Sequence, residues 1–265
     1  MSFELTKEQI VKEIIKCGKK PGYFINTYAK IPHPAKGLIP FKTYNFQDEL
    51  VDDLALHRFI VVLKARQLGI STITAAYVVW MMMFHRDKNI LVIATKLSVA
   101  QNFIRKVKFV LNSMPKWLLL PEIVNNNKQA LEFSNGSTIK AIPTSEDAGR
   151  SEALTLLIVD EAAFVRNFDT IWTGLYPTLS TGGQAIVLST PNGVGGQYYD
   201  LWRQAESGEN IFNPIKLDWS VHPDRDSKWF KEETRNMSPK QIAQELMCDF
   251  AASGDTFLSI EERKL

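Results

Sequence analysis

The sequence predicts an α/β fold built on a mainly parallel central sheet covered by helices on both faces. Two observations predict it. Short, continuous apolar runs recur at Phe59 to Leu63, Leu156 to Val159 and Ala185 to Leu188, as expected of strands buried on both faces of a parallel sheet. Helix-patterned stretches alternate with these runs, which is the order that parallel crossover connections need.

Each element follows from local pattern. Thr6 to Cys17 has helical spacing, and the Pro/Gly-containing stretch Gly18 to Pro40 reads as an irregular segment wrapping the core. Phe46 to Leu56 is a helix, Phe59 to Leu63 a strand, and Thr72 to Phe84, with three consecutive methionines, a buried helix. That helix is too short to span a bilayer and follows no signal-peptide pattern, so neither membrane insertion nor secretion is expected. Asn89 to Thr95 is a further strand and Ser98 to Asn112 an amphipathic helix with Arg105, Lys106 and Lys108 on or near its polar face. Ser134-Asn135-Gly136-Ser137 joins Leu131 to Phe133 with Thr138 to Ile142 as a hairpin, since Asn-Gly favours the turn. Gln197 to Ser207 and Pro239 to Met247 read as helices, with Ile215 to Leu217 as a strand between them.

Composition bounds the function classes. A chain of 265 residues with 45% apolar residues can bury one large core. The net charge of +2 gives no support for a strongly basic nucleic-acid face, so contacts through Lys96, Arg105, Lys106 and Lys108 would be local; a solvated helix face is the plainer reading of them. Cys17 and Cys248 show no partner pattern, which points to a reducing compartment, and the four histidines have no metal-ligand spacing.

The chemistry starts at the turn after the first buried strand. Lys64-Ala65-Arg66-Gln67-Leu68-Gly69-Ile70-Ser71-Thr72 reads as a phosphate-binding loop, in which backbone N–H groups and a helix N-terminus cradle phosphates. Gly69 holds the second glycine position of G-x-x-x-x-G-K-[ST] and Ser71 the magnesium-ligand position. Ile70 stands where the lysine belongs and Lys64 where the first glycine belongs, so the cation has moved toward the strand. At the end of another buried strand, Asp160 and Glu161 emerge where parallel sheets bind ligands. Asp160 would hold Mg²⁺ and Glu161 would accept a proton from an attacking water; a lone pair of this kind is usually a solvated acidic turn, and its coupling to the loop upstream favours the functional reading. Ser189-Thr190-Pro191-Asn192-Gly193 places hydroxyl and amide groups after a third strand, to contact a γ-phosphate or the lytic water, or simply to make a turn.

These three segments, in this order, resemble the ATPase domain of large terminase subunits, the DNA-packaging motors of tailed bacteriophages. The likeness runs from roughly Phe41 to Phe257, and a subset of the family carries its lysine at the start of the loop, as here. The resemblance implies a RecA-like P-loop NTPase of the additional-strand class, hydrolysis of ATP with Mg²⁺, and movement of double-stranded DNA. It implies that Lys64 and residues 65–72 bind nucleotide, that Ser71 and Asp160 hold Mg²⁺, that Glu161 is catalytic, and that Ser189, Thr190 and Asn192 couple loss of the γ-phosphate to DNA grip. Gln47 matches a glutamine that reads the adenine edge, although a residue opening a surface helix would look the same. Arg66 matches an arginine that contacts phosphate within the subunit. Arg150 sits where related motors carry an arginine finger reaching a neighbour's nucleotide; a surface ion pair is the alternative.

By the same resemblance, residues 1–40 form an N-terminal helix and wrapping segment, 41–250 the ATPase domain, and 251–265 a linker toward a nuclease domain, so no nuclease activity is expected of this chain. Expected partners are a homo-oligomeric ring, a portal protein and a small terminase subunit, in the host cytoplasm and transiently at the procapsid portal. A helicase-like translocase shares the same motifs, and a nucleotide-binding scaffold without hydrolysis would also fit the missing loop lysine.

Overall fold

Strand order decides which loops meet at which edge of the sheet. The computed structural model of the chain describes residues 5–33, 35–144 and 152–254. The N-terminal third holds α1 (Lys7–Lys19), α2 (Pro21–Tyr28), a two-stranded hairpin of β1 (Lys30–His33) and β2 (Gly37–Pro40), α3 (Asn45–Leu56), β3 (Phe59–Lys64) and α4 (Ile70–Phe84). Next come β4 (Asn89–Ile93), α5 (Leu97–Asn112), β5 (Ile123–Asn126), β6 (Ala130–Phe133), β7 (Thr138–Ala141) and β8 (Leu156–Asp160). The remainder is α6 (Phe168–Leu175), β9 (Gln184–Ser189), α7 (Gly196–Glu206), β10 (Asn213–Leu217), α8 (Ser227–Glu233), α9 (Pro239–Ile242), a π-helical turn over Ala243–Met247, and α10 (Phe250–Ser253).

The eight-stranded sheet runs β10-β3-β9-β8-β4-β7-β6-β5. It is parallel from β10 through β7 and antiparallel in the β7-β6-β5 meander. An additional strand, β9, thus separates β3 from β8, the RecA-like arrangement. Every residue of β3 and β8 is buried, as their unbroken apolar runs predict, and β5 at the edge is exposed throughout. α4 is apolar on all sides and correspondingly buried, packed against α2, α3 and α5. The polar atoms of its tyrosine and tryptophan are satisfied: Tyr77 donates to the Leu54 carbonyl and Trp80 to the Cys17 carbonyl.

Several local predictions need correction. Residues 18–40 are not irregular, because Pro21 suits the first turn of a helix and opens α2, and β1 pairs with β2. α4 starts at Ile70 rather than Thr72, since Gly69 at φ 75° turns the chain directly into the helix. The segment 239–247 is α-helical only to Ile242 and then widens into the π turn; the Glu245 carbonyl there accepts from the Arg66 N–H, outside the helix. β5, α6 and α8 have no counterpart in the sequence reading. The Asn135-Gly136 hairpin forms as predicted, with Gly136 at φ 81°.

No described helix is long and apolar enough to cross a membrane. The two cysteines lie apart in the core, and burial pushes each thiol up to about 12. Thiolate, the reactive form, is then scarce at neutral pH. The native protein is therefore expected to resist labelling by a thiol-specific reagent at pH 8, with both cysteines reacting once denaturant is added. Rapid stoichiometric labelling of the native chain would contradict the packing of α1 and of the π turn.

Candidate functional site

The turn between β3 and α4 is held from outside by side chains remote in sequence. The Arg66 and Gln67 carbonyls accept from the Arg225 guanidinium at 3.2 and 3.0 Å, and the Leu68 carbonyl accepts from the Gln47 amide at 2.9 Å. A trans peptide points its N–H opposite to its C=O. Fixing three successive carbonyls outward therefore turns the N–H groups of Gln67, Leu68 and Gly69 inward. Those three, and the N–H groups of Ile70 and Ser71 at the start of α4, have no acceptor among the described residues. Five consecutive donors at a helix N-terminus form a concave anion site.

The backbone conformation that achieves this is uncommon. Gln67 lies in the left-handed region at φ 57° and Gly69 at φ 75°. A Cβ on Gly69 would also sit 2.7 Å from the Gln47 amide nitrogen. The cradle is narrower than the sequence predicts, because the Ala65 N–H donates to Leu217, the Arg66 N–H to Glu245 and the Thr72 N–H to Gly69. Those three residues offer no backbone donor to a ligand.

Register brings the acids to the same level. Leu63 pairs with Ser189 and Asp160 with Leu188, so Lys64, Asp160, Glu161 and Ser189 all leave the sheet within two residues of each other. Strands two apart are separated by roughly 10 Å. Lys64 and Glu161 span that gap across the end of β9, with Nζ 3.1 Å from Oε1. Lys64 and Asp160 are each only 6% exposed. Burial raises the Asp160 carboxyl above the usual range against the lowering effect of Lys64, with Glu161 raising it further and Ser71 and Lys106 lowering it. Asp160 also accepts the Glu161 N–H at 3.1 Å, and Glu161 itself is left-handed at φ 55°. Strain of this kind in a non-glycine residue clusters at functional sites.

Asp160 and the Ser71 hydroxyl are hard oxygen donors on facing elements and suit Mg²⁺, which is commonly held by one or two carboxylates plus substrate phosphates. No cluster of three or more His, Cys, Asp or Glu side chains occurs among the described residues. An all-protein metal cage is thus not part of the described site.

Other predicted residues are placed differently. Arg66 is 66% exposed and turned to Glu245 of the π turn, Nε to Oε2 2.7 Å, rather than into the cradle. The contact is an ion pair, and no hydrogen-bond donor to Glu245 Oε2 is found among the described residues. Gln47 is buried, not a surface residue. Its Oε1 accepts the Tyr44 N–H while its amide supports the loop, which leaves one N–H and one lone pair for a ligand. Ser189 accepts the Ala163 N–H, Asn192 donates to the Ala163 carbonyl and accepts from Gln244, and Thr190 is buried beside them. These contacts make the third segment a bridge between the turn after Glu161 and the π turn. Arg150 lies outside the described residues, as does the expected linker from residue 255 onward.

Two contributors escaped the sequence reading. Arg225 stacks on Trp229, with Cζ 4.5 Å from the ring centroid, and no motif signals it because its partners are carbonyls of the loop. A cavity of about 740 Å³ opens beside the loop, bounded by Gly69, Thr72, Gln47, His222 and the α5 face that carries Lys106 and Phe109. Lys106, read from sequence as a solvated helix residue, therefore faces this cavity.

The family described as terminase large subunit, T4likevirus-type, N-terminal, matches residues 61–265. Among solved structures, the large terminase ATPase domain of Thermus phage P74-26 superimposes with a TM-score of 0.62 at 21% identity, over 80% of this chain and 95% of that one. The large terminase of a thermophilic bacteriophage, in complex with ADP, gives 0.65 at 12% identity, over 79% of this chain and 54% of that one. The large terminase of bacteriophage HK97 gives 0.61 at 19% identity, over 92% and 49% respectively. At these identities the likeness is one of fold. The chain spans about half the length of the latter two proteins.

Gly69→Ala is expected to destabilise the protein by about 1–2 kcal/mol from its left-handed backbone alone, and further by displacing the Gln47 amide. Urea unfolding of Gly69→Ala and of Gly69→Ala combined with Gln47→Ala checks this. The double variant should recover only the steric part, measured against Gln47→Ala. An unchanged midpoint for Gly69→Ala would contradict the loop geometry.

Proposed function

Because the chain belongs to the terminase large-subunit family of the T4-like type, we propose that it is an ATP-hydrolysing motor domain that uses Mg²⁺ and couples hydrolysis to movement of double-stranded DNA. The observation that carries the chemistry is the set of five inward N–H donors facing the same sheet edge as Lys64, Asp160 and Glu161.

In this reading the N–H groups of residues 67–71 and the Lys64 ammonium bind the phosphate chain of ATP. Ser71 and Asp160 hold Mg²⁺, which when bound offsets charge on the transferred phosphoryl group. Lys64 is shared: its partner in the chain is Glu161, and an incoming terminal phosphate competes for the same ammonium. Transfer of Lys64 to phosphate leaves the Glu161 carboxylate able to orient water and take its proton. The ring pair Tyr44 and His222, with centroids 4.4 Å apart, and the remaining valences of Gln47 border the cavity that would receive the base. Arg66 would have to leave Glu245 to reach phosphate, which ties the loop to the π turn. Arg150 is the arginine proposed to act on a neighbouring subunit's nucleotide in a homo-oligomeric ring.

Ser189, Thr190 and Asn192 are proposed to relay the loss of γ-phosphate, since they connect the Ala163 backbone to Gln244. Residues 41–250 are the proposed ATPase unit. Portal protein, small terminase subunit, the host cytoplasm and the procapsid portal follow as the proposed partners and setting.

Phosphate release by the purified chain, with and without duplex DNA and across protein concentration, tests the reading. Glu161→Ala is expected to bind ATP at least as tightly as the wild type, because Lys64 loses its competing carboxylate, while turnover falls roughly 10²- to 10⁴-fold. Lys64→Ala should weaken binding and turnover together. Wild-type turnover in Lys64→Ala would refute the displaced-lysine site.

A further inference from the structure

The phosphate loop lacks its usual lysine, and the residue in that place, Ile70, is an apolar side chain 2% exposed. Lys64 is then the loop's own inward cation, and it already faces Glu161 at 3.1 Å. A polyphosphate with several charges would leave this site short of positive charge.

Helix α5 forms the opposite wall. Its apolar face, including Phe103, Ile104 and Val107, is buried in the core and fixes the helix against α4. Asn102, Arg105, Lys106 and Phe109, at helical spacing, form the stripe that lines the cavity, together with Gly69 and Thr72 of the loop. Arg105 donates to Asn102 on the same helix. Lys106 makes no hydrogen bond and no ion pair with any described residue. It is partly buried, and burial lowers its pKa, with Asp160 and Glu161 opposing that shift and Lys64 adding to it. Its ammonium therefore lies within electrostatic reach of the site's acids and of its other cation. An ammonium withdrawn from water without a partner is costly, and an anionic ligand at that place removes the cost.

We propose that Lys106 is a second phosphate-binding cation of the nucleotide site, directed from α5 at the terminal phosphate and replacing the charge that Ile70 cannot provide. This rests on the nucleotide-site reading above. The terminal phosphate is specified because Lys106 shares the cavity wall with Gly69 and Thr72, which flank Ile70 and Ser71 at the start of α4, and Ser71 is the residue proposed to hold the metal of the terminal phosphates.

Titrating fluorescent ATP and ADP analogues, with Mg²⁺, against the wild-type chain, Lys106→Met, Lys106→Arg and Lys108→Met tests it, with thermal unfolding of each as a control. Lys106→Met should weaken ATP binding roughly 10- to 100-fold, the loss of one charge-assisted hydrogen bond, and leave ADP binding close to wild type. Lys106→Arg should retain most of the preference for ATP, and Lys108→Met all of it. Equal affinities of wild type and Lys106→Met for ATP, or equal losses for ATP and ADP, would overturn the proposal. If Lys106→Met unfolds below the assay temperature, Lys106→Gln carries the same comparison. A wild-type chain that binds neither nucleotide would refute the site reading itself, whereas wild-type binding with no effect at position 106 refutes only this inference.

Discussion

The outward fixing of three consecutive carbonyls is the constraint on which the site depends. A loop of five residues between a buried strand and a buried helix has no ladder to satisfy its peptide groups, and its N–H and C=O groups must each go somewhere. Arg225 and Gln47 take the carbonyls of residues 66, 67 and 68, so the donors are left facing the other way. Neither side chain belongs to the loop. Gln47 comes from α3 and Arg225 from the segment before α8, so the cradle is assembled by tertiary structure around a strand-to-helix turn that its own sequence underdetermines. The left-handed Gln67 is tolerable for the same reason, since hydrogen bonds to the peptides on both of its sides hold it there.

Sheet order supplies the second constraint. Insertion of β9 between β3 and β8 sets cation and acids about two strand spacings apart, a gap that two long side chains can bridge and that a phosphate group can enter. Adjacent strands would have placed Lys64 against Asp160 permanently. Instead the buried acid nearest the sheet, Asp160, has the Glu161 N–H and the Ser71 hydroxyl as partners, while Lys64 meets the more exposed Glu161. Burial alone disfavours the ionised form of Asp160, so the oxygen pair it makes with Ser71 is a place where a divalent cation would gain much.

Much of this was legible in the sequence because it is local. The apolar runs of β3, β8 and β9, the acids at the end of β8, the glycine that ends the loop and the Asn135-Gly136 turn are each fixed by residues a few positions apart. The family likeness then supplied the order of the motifs and pointed to Gln47. What could not be read is tertiary. Arg225 acts on carbonyls, which leave no side-chain signature, and Lys106 is one of several basic residues on α5 until the packing shows which face meets the loop. Arg66 lies in the motif yet is turned to Glu245, because a π turn far along the chain carries a carboxylate to it. The irregular reading of residues 18–40 failed for a simpler reason: proline and glycine there open and close short elements instead of breaking them.

The segment from Leu217 to Ser253 touches the site at every level. Its Leu217 carbonyl accepts the Ala65 N–H, its Arg225 holds two loop carbonyls, and its Glu245 engages Arg66 through both backbone and side chain. Gln244 reaches Asn192, and the Gly193 N–H donates to Ser253 at a place where the two backbones are so close that a Cβ on Gly193 would lie 2.9 Å from the Gly254 Cα. Arg66 and the turn after Glu161 are thus joined to this segment by polar contacts, from 2.7 Å at Arg66 and Glu245 to 3.4 Å at Asn192 and Gln244. The π turn at which these contacts meet is a local departure from the stable helix, with a widened ring and the left-handed Cys248 at its end. The proposed relay from the phosphate site to movement would pass through this hydrogen-bonded assembly.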